Sequence, residues 1–133
     1  MLVSIDIGTT GGKAALFSED LEMLAHSRRD YPTHLDDAGI RAEHDPEDWW
    51  RWMRESVPDL LAQTGARGSE IRAVGLSCMT PVLLPIDEGS EPLTWAQLWY
   101  DRRAAGMVPE LNRLLGPGAF ERITGSNLSS IRP

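Results

Sequence analysis

The sequence predicts an α/β fold on a mixed sheet: a three-stranded antiparallel meander, a helix, then a strand returning parallel to the first. Three observations carry this. Apolar runs at Leu2–Ile7, Lys13–Phe17 and Met23–Arg29 are separated by turn-forming segments at Gly8–Gly12 and Ser18–Leu21, which is the pattern of a meander. Trp49, Met53, Val57 and Leu60/Leu61 then recur at helical spacing, so one helix face can cover the sheet. Finally, Ile71–Ser77 is an apolar run bounded by turns, as expected of a buried strand beside the first.

The first strand delivers Asp6 straight into Ile7-Gly8-Thr9-Thr10-Gly11-Gly12-Lys13. Glycines allow backbone angles and close approach that a β-carbon forbids, and successive turn N–H groups form an anion-binding concavity. Thr9 and Thr10 add hydroxyl donors, Lys13 adds a cation, and Asp6 can hold a metal ion or a metal-bound water. The arrangement suits a Mg-bound nucleotide phosphate. Its structural alternative is an ordinary hairpin with an exposed lysine. Two better-known phosphate loops are excluded by spacing. A Walker loop needs Gly-Lys-Ser/Thr after four intervening residues, and a dinucleotide fingerprint needs a helix opening behind the glycines. Here Ala14–Phe17 and a second turn follow instead.

Tyr31–Glu43 is polar, with Pro32 and Gly39, and reads as a loop. Asp45 caps the helix, with Pro46 at its first position and Glu47 and Asp48 in the first turn. Proline has no N–H to lose there, and acidic groups suit the positive helix end. Three tryptophans at Trp49, Trp50 and Trp52 invite a ligand platform, but their spacing is accounted for by core packing. Pro58 removes a hydrogen bond to the Arg54 carbonyl and should kink or split the helix. Gly65–Ser69 ends it. After the returning strand, Val82–Ile86 leads through a turn at Asp87–Glu91 to Thr94–Trp99 as an extra hairpin. Asp101 can cap a C-terminal helix over Arg102–Leu115, with a break near Val108 imposed by Pro109. A short helix follows around Ala119–Ile123.

Composition bounds the function. The 133 residues suffice for one domain with a real core, and 41% hydrophobic with 25% charged residues is ordinary for a soluble protein. A net charge of -7 argues against nucleic acid, which demands a basic face, though not against a nucleotide in a locally positive pocket. No stretch has the length of a membrane helix, and no signal-peptide layout opens the chain. Cys78 is the single cysteine, which fits a reducing cytoplasm, and a buried, inert thiol is expected. His26, His34 and His44 lack metal-site spacing and are expected at the surface.

Four stretches, taken in order, resemble the N-terminal portion of the FGGY family of carbohydrate kinases. They are Asp6–Lys13, Glu43-His44-Asp45-Pro46-Glu47-Asp48-Trp49-Trp50, Gly75-Leu76-Ser77 with Leu83-Leu84-Pro85-Ile86-Asp87, and Leu98-Trp99-Tyr100-Asp101-Arg102-Arg103. The resemblance implies a ribonuclease-H-like lobe of the actin-like ATPase superfamily and ATP-dependent phosphorylation of a sugar or polyol hydroxyl. Its cofactors would be ATP and Mg2+. Asp6 would sit by the metal, and Thr9, Thr10, Gly11 and Lys13 would face the nucleotide. Trp99 would line the sugar pocket, or else serve as a core aromatic at a strand end. Asp101 would reach the sugar, or else cap and pair on a helix start, with the structural role preferred.

Family members are several times longer. The resemblance therefore implies that residues 1–133 are the N-terminal part of the first lobe and leave it incomplete. The rest of that lobe, the general-base aspartate and the second lobe would lie beyond Pro133. The isolated chain is then expected to be inactive as a kinase and, with a sheet edge and apolar surface exposed, either to self-associate or to melt at a low temperature. A non-catalytic shortened paralogue acting as a binding module is the alternative. One departure stands out. Where xylulose kinases carry Gly-Gln-Met-His and glycerol kinases place Arg-Glu, this chain has Cys78-Met79-Thr80-Pro81. Thr80 and Pro81 then occupy the sugar-contact positions, and a proline nitrogen cannot donate. A site missing a hydrogen-bonding pair rejects the substrate that pair serves, so neither xylulose nor glycerol is the expected substrate.

Overall fold

Strands β1 (Leu2–Ile7), β2 (Gly11–Phe17) and β3 (Met23–Asp30) form the expected meander in a computed structural model that describes residues 1–126. The chain divides into two compact units: Met1–Pro32 with Asp45–Met79, and Thr33–His44 with the chain from Thr80 onward.

In the first unit, β6 (Ala73–Cys78) lies parallel to β1, and the sheet order is β3-β2-β1-β6. Alternation along the strands sends Val3, Ile5, Ile7, Ala14 and Leu16 to one face, where they are buried. Helix α1 (Pro46–Thr64) covers that face. Asp45 caps it as expected, its carboxylate accepting from the Glu47 amide at 2.9 Å. Gly65 closes it in the left-handed region, at φ 69°.

The buried stripe of α1 differs from the expected one by a rotation. Trp52, Ser56 and Leu60 are buried, while Trp49, Met53 and Val57 flank them half-buried. Ser56 is tolerated because its hydroxyl donates to the Met53 carbonyl at 3.1 Å. The core role expected of the tryptophans therefore falls on Trp52, whereas Trp50 is exposed. Pro58 does not split the helix, which runs unbroken through it; packing of Leu60 into the core outweighs one lost backbone bond.

Two further expectations are corrected. The β2 strand begins at Gly11, so Gly11, Gly12 and Lys13 belong to the ladder and the turn shrinks to Gly8–Thr10. The returning strand is parallel to β1 but exposed along its length, with Val74 60% and Leu76 64% accessible. Both are in register with core residues of β1 (Val3 and Ile5), but α1 packs mainly against β2 and β3. Cys78, at the end of this strand, is exposed for the same reason.

The second unit holds a small sheet where a plain loop was expected. Strands β4 (His34–Leu35), β5 (Ala42–His44) and β7 (Ala96–Gln97) are antiparallel, in the order β4-β5-β7. Asp36 organises the β4–β5 turn by accepting from the Ile40 and Arg41 amides at 2.7 and 3.0 Å. His44 is buried, with Nε2 2.9 Å from the Thr33 hydroxyl, which overturns its expected surface position. The extra hairpin is reduced to two bridges, Leu83 to Gln97 and Ile86 to Pro92, because prolines at 81, 85 and 92 interrupt the ladder. Beyond it, a 3₁₀ turn over Arg103–Met107 gives way at Val108 to α2 (Val108–Leu115), as Pro109 requires. Helix α3 (Ala119–Thr124) follows.

Candidate functional site

The first group of predicted residues sits at one end of the four-stranded sheet. Register places Asp6 opposite Lys13 on β2 and Ser77 on β6, and Lys13 opposite Arg28 on β3. These four share the sheet face opposite α1, because paired residues project to the same side. The Asp6 carboxylate is 42% exposed and lies 3.8 Å from the Lys13 ammonium. A contact of that length between accessible groups contributes little, so both charges remain available to a ligand. Thr10 is exposed at the tip of the turn, and Thr9 is half-buried beside it.

The glycines of this segment have reasons that sequence reading assigned otherwise. A β-carbon on Gly11 would lie 2.6 Å from the Arg29 carbonyl oxygen, and one on Gly12 would lie 2.4 Å from the Trp52 indole. Close strand and helix packing is enough to demand glycine at these two positions. Gly8 belongs to the turn itself: its amide donates to the Gly11 carbonyl at 3.1 Å.

Tyr31, read from sequence as the start of a loop, is buried at the end of β3, and its hydroxyl donates to the Gly8 carbonyl at 2.5 Å. Burial, and then the Asp6 carboxylate, push its pKa above the ordinary phenol value. The signal available in the sequence was its place, one residue beyond Asp30, which pairs with Gly11.

The ion that the phosphate reading calls for has a narrow set of protein donors. Among the described residues no group of three or more His, Cys, Asp or Glu side chains is placed to hold a metal. Mg2+ keeps several waters and is commonly held by one or two carboxylates together with substrate phosphates. A single accessible carboxylate at a strand end beside a hydroxyl-bearing turn fits that demand, and it fits no ion that needs an all-protein cage.

The other predicted residues lie in the second unit. Thr80 and Pro81, joined by a cis peptide bond, are exposed. Trp99 is half-exposed and stands edge-on to Tyr100, with ring centroids 5.0 Å apart. Asp101 is 1% exposed. Its carboxylate accepts from the Ala42 amide at 2.8 Å and from the Arg103 amide at 3.0 Å. It also takes a fork from the Arg103 guanidinium at 2.9 and 2.7 Å. Arg103 reaches on to Glu43 at 2.7 Å. Burial raises the Asp101 pKa, but the Arg103 fork and the Ala42 amide outweigh it and hold the carboxyl below its ordinary value. Both carboxylate oxygens of Asp101 are engaged in this way within the fold. Backbone bonds from Leu98 to the Ala42 carbonyl (2.9 Å) and from Arg102 to the Ile40 carbonyl (2.8 Å) complete the clamp that presents Trp99.

The sequence profile of the FGGY family of carbohydrate kinases, N-terminal domain, matches residues 1–133. A glycerol kinase from Agrobacterium fabrum is 33% identical over 126 residues, covering 93% of this chain and 25% of that protein. Among solved structures, a xyloylose kinase from Brucella ovis superposes with a TM-score of 0.85 at 26% identity, covering 96% of this chain and 26% of that one. A gluconate kinase from Lactobacillus acidophilus gives 0.82 at 25% identity, covering 99% and 26%. The fold is therefore of the ribonuclease-H-like, actin-like ATPase class, as the sequence implied. The chain spans about a quarter of the length of these relatives.

Proposed function

Since this chain belongs to the FGGY family of carbohydrate kinases, we propose that it contributes the phosphate-binding turn and part of the sugar pocket to an ATP-dependent kinase acting on a sugar or polyol hydroxyl. The observation that carries this reading is the row formed by Asp6 and Lys13 directly behind the Gly8–Thr10 turn, with both charges accessible. In such a kinase ATP supplies the terminal phosphoryl group and Mg2+ neutralises its charge.

The residues of this chain would then bind and orient. Lys13 and the hydroxyls of Thr9 and Thr10 take phosphate oxygens, together with the backbone N–H of Gly11, and Asp6 holds the ion. Trp99 offers an apolar ring face to the carbon-bound hydrogens of a sugar, fixed from behind by Asp101. Thr80 supplies one hydroxyl and Pro81 no donor, which supports a substrate other than xylulose or glycerol. We assign no proton acceptor for the sugar hydroxyl to these residues. The domain we propose is the N-terminal part of the first lobe of the kinase.

Two measurements on the 133-residue chain test this. It should bind Mg–ADP weakly, with Asp6→Asn lowering affinity about tenfold, the scale of one lost charge-assisted contact. It should turn over no sugar or polyol when assayed with ATP. Equal Mg–ADP affinity in the wild type and the Asp6→Asn chain would sink the metal assignment, and measurable turnover would sink the proposed division of labour.

Exposed β6 favours a second reading, a binding module that pairs with another copy of itself. An accessible outer strand carrying Val74 and Leu76 is a template for strand addition. Light scattering on the purified chain is expected to show a mass above the monomer's 14.8 kDa, and a monomer at all concentrations would remove this reading.

A further inference from the structure

We propose that Tyr31 is a positioning residue of the β1–β2 turn, its phenol holding the Gly8 carbonyl so that the Gly8–Thr9 peptide meets a phosphate in one orientation. The consequence for phosphate rests on the functional reading above; the positioning itself does not.

The Gly8 residue is held at both of its polar groups. Its N–H donates across the turn to the Gly11 carbonyl at 3.1 Å, and its C=O accepts from the Tyr31 hydroxyl at 2.5 Å. A peptide unit is planar and trans, so its C=O and the following N–H point in opposite directions. Anchoring the Gly8 oxygen to the phenol therefore turns the Thr9 N–H away from the phenol. Rotation of the Gly8–Thr9 peptide changes ψ of Gly8 and φ of Thr9, and without that anchor the missing β-carbon of Gly8 leaves its ψ little hindered.

The anchor is itself rigid. Tyr31 is buried in the same core cluster as Ile7 and Trp52, so its ring has little room to move. Its neutral form is favoured by burial and by the neighbouring Asp6 charge. The phenol consequently stays a donor through neutral and moderately alkaline pH. An aromatic at this position that lacked the hydroxyl would fill the same volume and leave the Gly8 carbonyl without this partner.

The test compares Tyr31→Phe with the wild-type chain by amide hydrogen exchange, by the position of the Thr9 amide resonance and by Mg–ADP titration. Tyr31→Phe keeps the ring packing. The expected result is a folded protein with a displaced, faster-exchanging Thr9 amide and Mg–ADP affinity weakened about fivefold to tenfold. An unchanged Thr9 amide would overturn the proposal whatever the nucleotide does. If the wild type binds no Mg–ADP, the phosphate reading falls, while the Thr9 amide still decides the positioning role. Should Tyr31→Phe fail to fold, difluorotyrosine in place of the two tyrosines provides the second arm. Its acidified phenol should lose its proton at a lower pH than the tyrosine does, and the Thr9 resonance must move with that titration. A Thr9 resonance that ignores it overturns the proposal.

Discussion

Gly12→Ala should destabilise the first unit by about 3 kcal/mol, the upper part of the range for overpacking a dense core. The added carbon would stand 2.4 Å from the Trp52 indole, and the ring is 2% exposed. No flexible end of a side chain is available to yield. The indole is fixed on α1, and Gly12 is fixed in β2 between its pairings with Ile7 and Arg29. Relief must come from moving the helix off the sheet or the strand out of register. Either movement also displaces the turn one residue row away.

Chemical denaturation followed by tryptophan fluorescence measures the cost, and a double mutant isolates its cause. Trp52→Leu alone should be costly, because it leaves a cavity in the core. Gly12→Ala introduced into that background should cost far less than it does in the wild type, since its steric partner is gone. Equal costs in the two backgrounds would mean that the glycine is needed for something other than room for the indole.

Asp101→Ala should cost the second unit about 3 kcal/mol, the lower end for removing one member of a buried ion pair. The lower end is chosen because the Arg103 side chain is 28% exposed and keeps its contact with Glu43. What is lost is a carboxylate that ties the start of β5 to the segment after Leu98. It takes the Ala42 amide at 2.8 Å and forks onto Arg103. Hydrogen exchange at the Ala42 amide should accelerate in step with the loss of stability, and an Ala42 amide as protected as in the wild type would contradict this account.

The pH dependence has a definite sign. The folded state holds the Asp101 carboxyl below its unfolded value of 3.8, so the fold binds fewer protons there than the unfolded chain. Its contribution is complete above pH 3.8 and is lost as pH falls through the depressed value. Acid unfolding of Asp101→Ala should therefore be shallower below that pH than unfolding of the wild type.

Particular residues show how far the chain could be read without coordinates. The β1 bounds, the Asp45 cap with Pro46 behind it, the Gly65 stop and the change of helix type at Val108 follow from local chemistry. Each depends on groups within a few residues of one another, so each is written in the order of the residues. Trp52, rather than Trp49, became the core tryptophan because helical spacing defines a stripe but leaves its rotation about the axis to the surface it meets. His44 was misplaced for a related reason: its burial depends on β7 joining β4 and β5 from about fifty residues further along the chain. At the candidate site, Asp6, the threonines and Lys13 were visible because they are contiguous. Tyr31 was not, because its partner lies twenty-three residues earlier.

Taken by itself, the order of residues determined the class of fold and the family, both of which rest on short-range pattern and spacing. Tertiary packing alone decided that Gly11 and Gly12 answer to Arg29 and Trp52, that Asp101 is engaged by Ala42 and Arg103, and that the Tyr31 phenol meets the Gly8 carbonyl. The physical reason is that steric exclusion and hydrogen bonding act through space over a few ångströms. A linear chain records such closeness only where neighbours in space are also neighbours in sequence.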